Sequence, residues 1–466
     1  MNIGSVRMTP RRIEVNEAAM VIEKRREWFR SLLAVGLTVV IAVAAVSQQM
    51  LKKPPDAIPT GNSMEKAPMD QATSDRMALL SKVWAAAYFF CANLDDKVVD
   101  WDGTLSTCLT KCSGGMDDDE FVNLLRRMLA EIKDGHTEFV DLRPRTRLRA
   151  SPDLLLDSIE DRTVLKWVGP GIRATHQGLL PGLIVETIDG VPVDKAFAEE
   201  AAVTSASTPE QLKVKVYRAL LSGPPDRTIS LGLLMDDGSR QVVELSRDTP
   251  PEGIAARIGD AERLPIGEEY CIGYIPIASF RDESSVLQFR AMLKRLADCN
   301  GLVLDVRGNG GGNDQYAFQM AAHLTDRPLV GHRERHRRHE RNSINQWLTL
   351  DPVTVQPDPE LRYLGPMALL VDEATQSAAE DFVLLLQQSG RAKIVGRKTS
   401  GSTGQPLFLQ VGDYGIATIC TAQCLRADLS PFQTTPDLEV PLSLQALRSD
   451  TDEILDAAIR LLRESM

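Results

Sequence analysis

Residues 301–312 read Gly301-Leu-Val-Leu-Asp-Val-Arg-Gly-Asn-Gly-Gly-Gly312, an apolar run that ends in a glycine-rich turn. A continuous apolar run is typical of a strand buried on both faces of a sheet. A glycine-rich turn at its carboxyl end exposes backbone N–H groups that can hold a phosphate or an oxyanion. The turn lacks the spacing of dinucleotide-binding and phosphate-binding loops, which argues against nucleotide binding. A tight turn with no ligand is the alternative.

Strands and helices alternate around this stretch. We predict strands at 271–277, 301–306, 365–371 and 392–396, and helices at 284–297, 313–324 and 378–388. Such alternation predicts a mainly parallel sheet with right-handed crossovers. Residues 251–466 are therefore predicted to form an α/β core.

Three further regions precede this core. Residues 74–164 begin with apolar residues at helical spacing and are predicted to form a helical cap. Residues 165–250 contain short β-like runs separated by Asp-Gly turns, which predict a small β-rich module. Residues 51–73 are rich in Pro, Asp, Ser and Gly and are interpreted as a linker.

The first 50 residues contain an apolar segment, 32–46, directly after a basic stretch. This length suits the core of a cleaved signal peptide. Flanking residues can extend it into a tilted membrane anchor, and a buried core helix is a third reading. Under both membrane readings the basic flank keeps the N-terminus in the cytoplasm, so everything after residue 50 is exported.

The net charge of the chain limits the classes of binding partner that we expect. The chain has 64 acidic and 53 basic residues and a formal net charge of −11. A surface of this sign disfavours a dedicated nucleic-acid binder, because affinity for phosphates comes from clustered Lys and Arg.

Neither of the two cysteine pairs has metal-ligand spacing around it. Cys108 and Cys112 form one C-x-x-x-C pair, and Cys420 and Cys424 form another. In an exported protein, local disulfides are as plausible as free thiols. The run from His332 to Arg341, His-Arg-Glu-Arg-His-Arg-Arg-His-Glu-Arg, is interpreted as a solvated strand or loop, with a substrate-recognition strand or a metal patch as alternatives.

Two residues suggest nucleophilic catalysis. Ser377 lies between a predicted strand end and a predicted helix start, where a nucleophile's hydroxyl faces the crevice and the helix N-terminus stabilises negative charge. His136 follows the second long helix of the cap, and histidine is the side chain most often used as a general base. Taken singly, the serine is better explained as a helix N-cap and the histidine as a turn residue.

Together and in this order, these motifs resemble the tail-specific or C-terminal-processing serine peptidases, in particular the tricorn-core-like branch. The matching segments are Gly301–Gly312, Thr375–Glu380, Arg391–Gly404, Thr435–Val440, Asp134–Thr137 and, for a PDZ-like domain, Gly178–Val193. The resemblance implies an α/β core of the ClpP/crotonase-like type with an N-terminal helical cap and a PDZ-like module. It implies an acyl-enzyme serine endopeptidase without metal or cofactor.

The resemblance also assigns residues. It makes Ser377 the nucleophile and His136 the base, with the backbone amides of Gly311 and Ala378 as the oxyanion hole. One branch of the family places a lysine 25 residues after the serine, where this chain has Ser402, so the lysine dyad is absent. A partner should orient the imidazole; Glu380, Asp428 and Ser402 are the candidates.

The expected partner is an unfolded or extended polypeptide, recruited or gated by the PDZ-like module through strand addition. The expected location is extracytoplasmic or periplasmic, with possible tethering to the inner membrane; the oligomeric state stays open. A catalytically weak relative that binds peptides or apolar ligands is the alternative, because fold alone does not imply function. Retention of both Ser377 and His136 favours the enzyme.

Overall fold

The computed structural model describes residues 70–95, 99–144, 149–176, 178–248, 261–266, 270–340, 343–430 and 434–465. These residues belong to one compact unit, Met69–Met466. The apolar segment 32–46 lies outside the described residues. Within the described ranges, no helix has both the length and the apolar character needed to cross a bilayer.

The first part of this unit is helical. It contains α1 (Gln71–Phe90), α2 (Trp101–Ser113) and α3 (Asp118–Ala130), followed by the short strand β1 (Glu138–Asp141). Helix α3 begins with a capping box, in which Asp117 accepts from the Glu120 amide and Glu120 accepts from the Asp117 amide. Its apolar face packs with those of the other two helices in one core.

The β-rich module comes next. Its elements are β2 (Leu154–Ile159), β3 (Arg162–Val168), α4 (Pro170–Thr175), β4 (Ile184–Ile188), β5 (Val191–Pro192), α5 (Val193–Ala201), α6 (Pro209–Leu221), β6 (Thr228–Leu234) and β7 (Arg240–Ser246). The sheet order is β2-β3-β4-β6-β7. The sheet therefore begins at Leu154, ahead of the boundary expected at residue 165. The reason is that β2 pairs antiparallel with β3 and completes the same sheet.

The α/β core contains the predicted strands. It comprises β8 (Glu262–Ile266), β9 (Tyr270–Pro276), α7 (Glu283–Arg295), β10 (Gly301–Asp305), α8 (Asp314–Ala322), β11 (Leu329–Val330), β12 (Arg333–Glu340), β13 (Ser343–Thr349), β14 (Thr354–Val355), β15 (Met367–Val371), α9 (Ala378–Gln388), β16 (Lys393–Gly396), β17 (Pro406–Val411), β18 (Gly415–Cys420), β19 (Ala422–Leu425), β20 (Leu438–Glu439), α10 (Leu444–Ser449) and α11 (Glu453–Arg463).

The main sheet has the order β20-β16-β15-β10-β9-β8. All its neighbouring strands run parallel except the β8–β9 pair. Helices α7, α8 and α9 cover one face and α11 covers the other. The central strands β10 and β15 are buried along their whole length, which confirms the reading of residues 301–306 as a doubly covered strand.

Two three-stranded sheets lie outside the main sheet and the module. Strand β1 of the cap pairs with β18 in the sheet β1-β18-β17, so the cap is joined to the core by backbone hydrogen bonds. Strand β12 is the centre of the sheet β13-β12-β19. This strand carries the histidine-rich run, but the interpretation as a solvated segment is wrong for His332, which is 2% exposed. Coverage by neighbouring strands and by α9 explains its burial.

The seven cysteines are all free thiols in the structure. Cys108 and Cys112 are buried in the cap core. Cys420 and Cys424 are also buried, at the end of β18 and within β19. Of the two alternatives left open by the sequence, the structure therefore has the free thiols in both pairs.

Candidate active site

Ser377 lies at the turn between β15 and α9. It is the N-cap of α9, with φ 57° and ψ −129°. A non-glycine residue at positive φ is strained, and such strain is concentrated at functional sites. The sharp turn presents the serine hydroxyl at the carboxyl edge of the sheet and leaves the positive end of the helix dipole beneath it.

His136 reaches Ser377 from the cap. It lies between α3 and β1, and its Nε2 is 3.2 Å from Ser377 Oγ. Its backbone is fixed by Asp134, whose Oδ1 accepts from the His136 amide at 3.0 Å and from the Thr137 hydroxyl at 3.0 Å. Thr137 in turn accepts from the Cys420 amide at the end of β18. The cap and the core thus each contribute one residue to a contact spanning 241 positions of sequence.

Ser402 lies on the other side of the imidazole. Its Oγ is 2.9 Å from His136 Nδ1. The loop that carries it is attached to the serine turn, because the Ser377 amide donates to the Ser402 carbonyl at 3.0 Å. Ser377, His136 and Ser402 therefore form a continuous chain of polar contacts. A hydroxyl that accepts the Nδ1 proton leaves Nε2 free to accept from the nucleophile.

Glu380 fastens this loop without touching the imidazole in the described contacts. Its Oε1 accepts from the Gly401 amide at 2.8 Å and from the Thr399 hydroxyl, and its Oε2 accepts from the Ser402 amide at 2.9 Å. Complete burial raises the pKa of Glu380 to about 7, although the surrounding donors favour the carboxylate.

Asp428, the third orienting candidate, lies elsewhere. It is exposed in a turn after β19, and its carboxylate accepts from the amide and hydroxyl of Ser430. Its described hydrogen bonds thus stay within its own turn. Of the three candidates, only Ser402 contacts the His136 ring.

The predicted oxyanion donors lie beside the nucleophile. Ala378 is the first residue of α9, a position whose amide has no acceptor within the helix. Gly311 adopts φ +94°, and a Cβ on it would lie 2.8 Å from Ser377 Cβ. The Gly311 amide, however, donates to Asn309 Oδ1 at 2.8 Å. The glycine turn therefore lies against the serine, but the Gly311 N–H is already hydrogen-bonded to Asn309.

Burial sets the protonation of His136. Desolvation lowers the pKa of His136, and the nearby Lys215 ammonium lowers it further, against the opposing effect of Asp134 and Glu138. A lowered pKa keeps the imidazole neutral at physiological pH. A neutral imidazole is the form that can accept a proton from a serine hydroxyl.

A cavity of about 850 Å³ borders the glycine turn, and neither Ser377 nor His136 lines it. It lies between the cap, the β-rich module and the glycine turn, which lines it through Gly308 and Gly310. Its walls carry five arginines, Arg126, Arg143, Arg149, Arg218 and Arg281. The cavity has the volume of a site for an extended ligand of several residues.

Sequence reasoning missed two positioning residues. Asp134 was visible only as the first letter of Asp-Gly-His-Thr, and its role depends on the turn that folds its carboxylate onto the His136 amide. Asn309 is completely buried and links the glycine turn to the end of β9, because its Nδ2 donates to the Ile277 carbonyl. The Gly-Asn-Gly triplet was the available signal for Asn309.

Comparison with known protein families shows what this chain is similar to. Residues 271–440 match the model of peptidase family S41. Carboxyl-terminal-processing peptidase 2 of Arabidopsis thaliana is 24% identical over 279 residues, covering 59% of this chain and 49% of that protein. The C-terminal processing peptidase of Tetradesmus obliquus is 23% identical, covering 72% of each. A tricorn protease homologue of Streptomyces coelicolor is 23% identical over 78% of this chain and 30% of that protein.

The chain thus spans about half the length of the Arabidopsis relative. Two solved structures share its fold. Mature CPAF in complex with lactacystin superposes with a TM-score of 0.69 at 14% identity, covering 85% of this chain and 99% of that one. The photosystem II D1 C-terminal processing protease superposes with a TM-score of 0.51 at 20% identity, covering 83% of this chain and 97% of that one.

Proposed function

We propose that this chain is a serine endopeptidase of family S41, whose model matches residues 271–440, and that Ser377 is its nucleophile and His136 its general base. One observation carries the assignment of residues. The two side chains meet at 3.2 Å although they come from separate parts of the chain, and Ser402 engages the second ring nitrogen. If Ser377 were only a helix N-cap and His136 only a turn residue, nothing would explain why Ser377, His136 and Ser402 line up in one chain of polar contacts.

The reaction follows from the positions of the protons. Neutral His136 takes the Ser377 proton at Nε2 as Oγ attacks a peptide carbonyl. The protonated ring then gives that proton to the leaving amine, and water hydrolyses the acyl-enzyme with His136 again as base. The Ala378 amide is placed to stabilise the oxyanion. Gly311 joins it once its N–H turns from Asn309.

The substrate we propose is an extended polypeptide. The cavity that ends at the glycine turn is bounded by the β-rich module, which contributes Leu154, Leu155 and Arg218. We assign this module a PDZ-like role. In this role an extended peptide binds as an additional strand at the edge of the module's sheet, and this binding directs the peptide to Ser377. The names of the relatives, which process the carboxyl termini of proteins, agree with such a substrate.

We also propose that the chain after residue 50 is exported from the cytoplasm. The basic stretch and the apolar segment 32–46 support translocation of everything after residue 50. Sequencing the N-terminus of the protein recovered from cells distinguishes a cleaved signal from an anchor. Recovery of the full chain from the cytoplasm would contradict export.

Labelling with a fluorophosphonate probe tests the nucleophile. The wild type should be labelled at Ser377 and should cleave an unfolded protein, and Ser377→Ala should do neither. Ser430→Ala is the matched control, since Ser430 lies in a surface turn and bonds to Asp428. A wild type that neither labels nor cleaves would instead favour the peptide-binding or apolar-ligand-binding alternative.

A further inference from the structure

The histidine-rich run of β12 forms a second polar cluster. Glu334 and His336 are alternate residues of β12 and face the same side of its sheet, and His332 directly precedes this strand. His336 Nε2 lies 3.1 Å from Glu334 Oε2. The alternating arginines face the other way; Arg335 contacts Gln423 and stacks on the Trp347 ring. Period-two alternation therefore separates the charges of this run onto two faces of the sheet.

A cysteine from the neighbouring strand joins this face. In the antiparallel pairing of β12 and β19, Glu334 lies directly opposite Cys424. One potential ligand atom each from His332, Glu334 and Cys424 falls within 4.8 Å of the other two. Ligand atoms on one zinc ion lie roughly 3.3–3.8 Å apart, as follows from bonds of about 2.0–2.3 Å in a tetrahedron. A contraction of about 1 Å would bring these three atoms to that spacing.

Asp381 of α9 lies behind the histidine. Its Oδ1 is 3.1 Å from His332 Nδ1, yet the geometry makes no hydrogen bond, so both atoms are buried without one. A buried polar atom without a hydrogen bond destabilises the folded state, so buried polar atoms usually have a hydrogen-bond partner. Rotation of the ring that brings Nδ1 into line with Asp381 would aim Nε2 at Glu334. A carboxylate behind a ligating histidine is a recurrent arrangement in metal sites.

The carboxyl groups beside His332 pair with histidines. Among the described residues, the ion pairs of Glu334 and Asp381 are with His332 and His336, not with Lys or Arg. A divalent cation bound at His332 would therefore lie beside carboxyl groups that could contact it directly.

We propose that His332, Glu334 and Cys424 bind one zinc ion, with Asp381 orienting His332. One imidazole nitrogen, one carboxylate oxygen and one thiolate suit zinc better than calcium or magnesium, which prefer oxygen ligands alone. On binding, Cys424 loses its thiol proton to solvent, as does His332 when it is protonated. No electron is transferred.

The position of the cluster gives the ion a structural role. Asp381 lies one helical turn after Ser377, and the Asp381 amide donates to the Ser377 carbonyl at 3.1 Å. Glu334 accepts from Gln405, in the loop that also carries Ser402. The ion would therefore tie β12 and β19 to α9 and to the loop that carries Ser402.

Cobalt substitution of the full chain tests the site. Chelator-treated protein titrated with Co²⁺ should develop a thiolate-to-cobalt charge-transfer band and tetrahedral visible bands at one ion per chain, and Zn²⁺ should displace them. Cys424→Ser should remove the charge-transfer band. The matched control is Cys108→Ser, because Cys108 is equally buried but lies in the cap core.

Zinc affinity, measured by competition with a chromogenic chelator, gives the second measurement. His332→Gln should weaken binding at least 10-fold, and Asp381→Asn about 10-fold to 100-fold, as is typical of groups behind a ligand. A wild type that shows no thiolate band or no zinc uptake would overturn the proposal even if the variants misfold. So would equal affinity in wild type and Cys424→Ser.

Discussion

Ser402 Oγ and His136 Nδ1 lie 2.9 Å apart, 266 positions apart in sequence. This contact fixes the plane of the imidazole whose opposite nitrogen faces Ser377. A hydroxyl here takes the place that a carboxylate has in the serine–histidine–aspartate triad. Its own amide is held by Glu380, so a carboxylate acts on the histidine only through the backbone of the loop.

The first prediction concerns this contact. Ser402→Ala should lower kcat about 10-fold to 100-fold, because a misoriented base keeps only part of the 10²–10⁴-fold that general bases typically supply. KM should change little, since Ser402 is buried behind the ring. Steady-state kinetics on a peptide substrate provide the measurement. Asp428→Asn is the control and should keep full activity; equal losses in the two variants would contradict the assignment.

The pH profile offers the second prediction. Burial and Lys215 lower the pKa of His136, so the acid limb of kcat/KM should fall below the usual histidine value of about 6.5. Lys215→Met removes the cation and should shift the limb to higher pH. Lys213→Met, an exposed change on the same helix, is the control. A limb that stays in place in Lys215→Met, or moves to lower pH, would contradict the electrostatic argument.

The core could be predicted because its signals are local. Apolar runs such as 301–306 and 365–371 specify buried strands, and the intervening periodic segments specify helices. Ser377 and His136 could be proposed as a pair because their motifs occur together and in the order typical of the resembled peptidases, whereas neither motif alone indicates catalysis. The start of the module at Leu154 was missed, since pairing of β2 with β3 depends on a partner strand rather than on the strand's own composition.

The proposed metal cluster was only partly anticipated, because a metal patch was an alternative interpretation of the run from His332 to Arg341 and a solvated segment was the preferred one. The run from His332 to Glu340 carries many charges, and charge usually marks a solvated segment. His332 is buried because it packs against other elements such as α9, which the run does not encode. Cys424 enters only through the register that places it opposite Glu334. Alternation of His and Glu at every second position was the one available signal.

The third prediction tests the burial of Glu380. Its pKa is raised to about 7, so between pH 4.5 and 7 the folded state binds more protons than the unfolded state. The free energy of unfolding should therefore fall as pH rises through this range. In Glu380→Gln this contribution is absent, and the same curve should be flatter. Denaturant titrations at several pH values check the difference; a steeper curve for the variant would contradict the raised pKa.

The last prediction concerns the approach of the glycine turn to Ser377. A methyl group at Gly311 would lie 2.7 Å from the Gln376 carbonyl oxygen and 2.8 Å from Ser377 Cβ, on a backbone at φ +94°. Gly311→Ala should therefore displace the serine turn, slow fluorophosphonate labelling at least 10-fold and lower the free energy of unfolding by about 1–3 kcal/mol. At Gly310 a methyl group meets nothing within 4 Å, so Gly310→Ala should fold and be labelled nearly as the wild type. Equal labelling rates in the two variants would mean that the turn does not constrain the nucleophile.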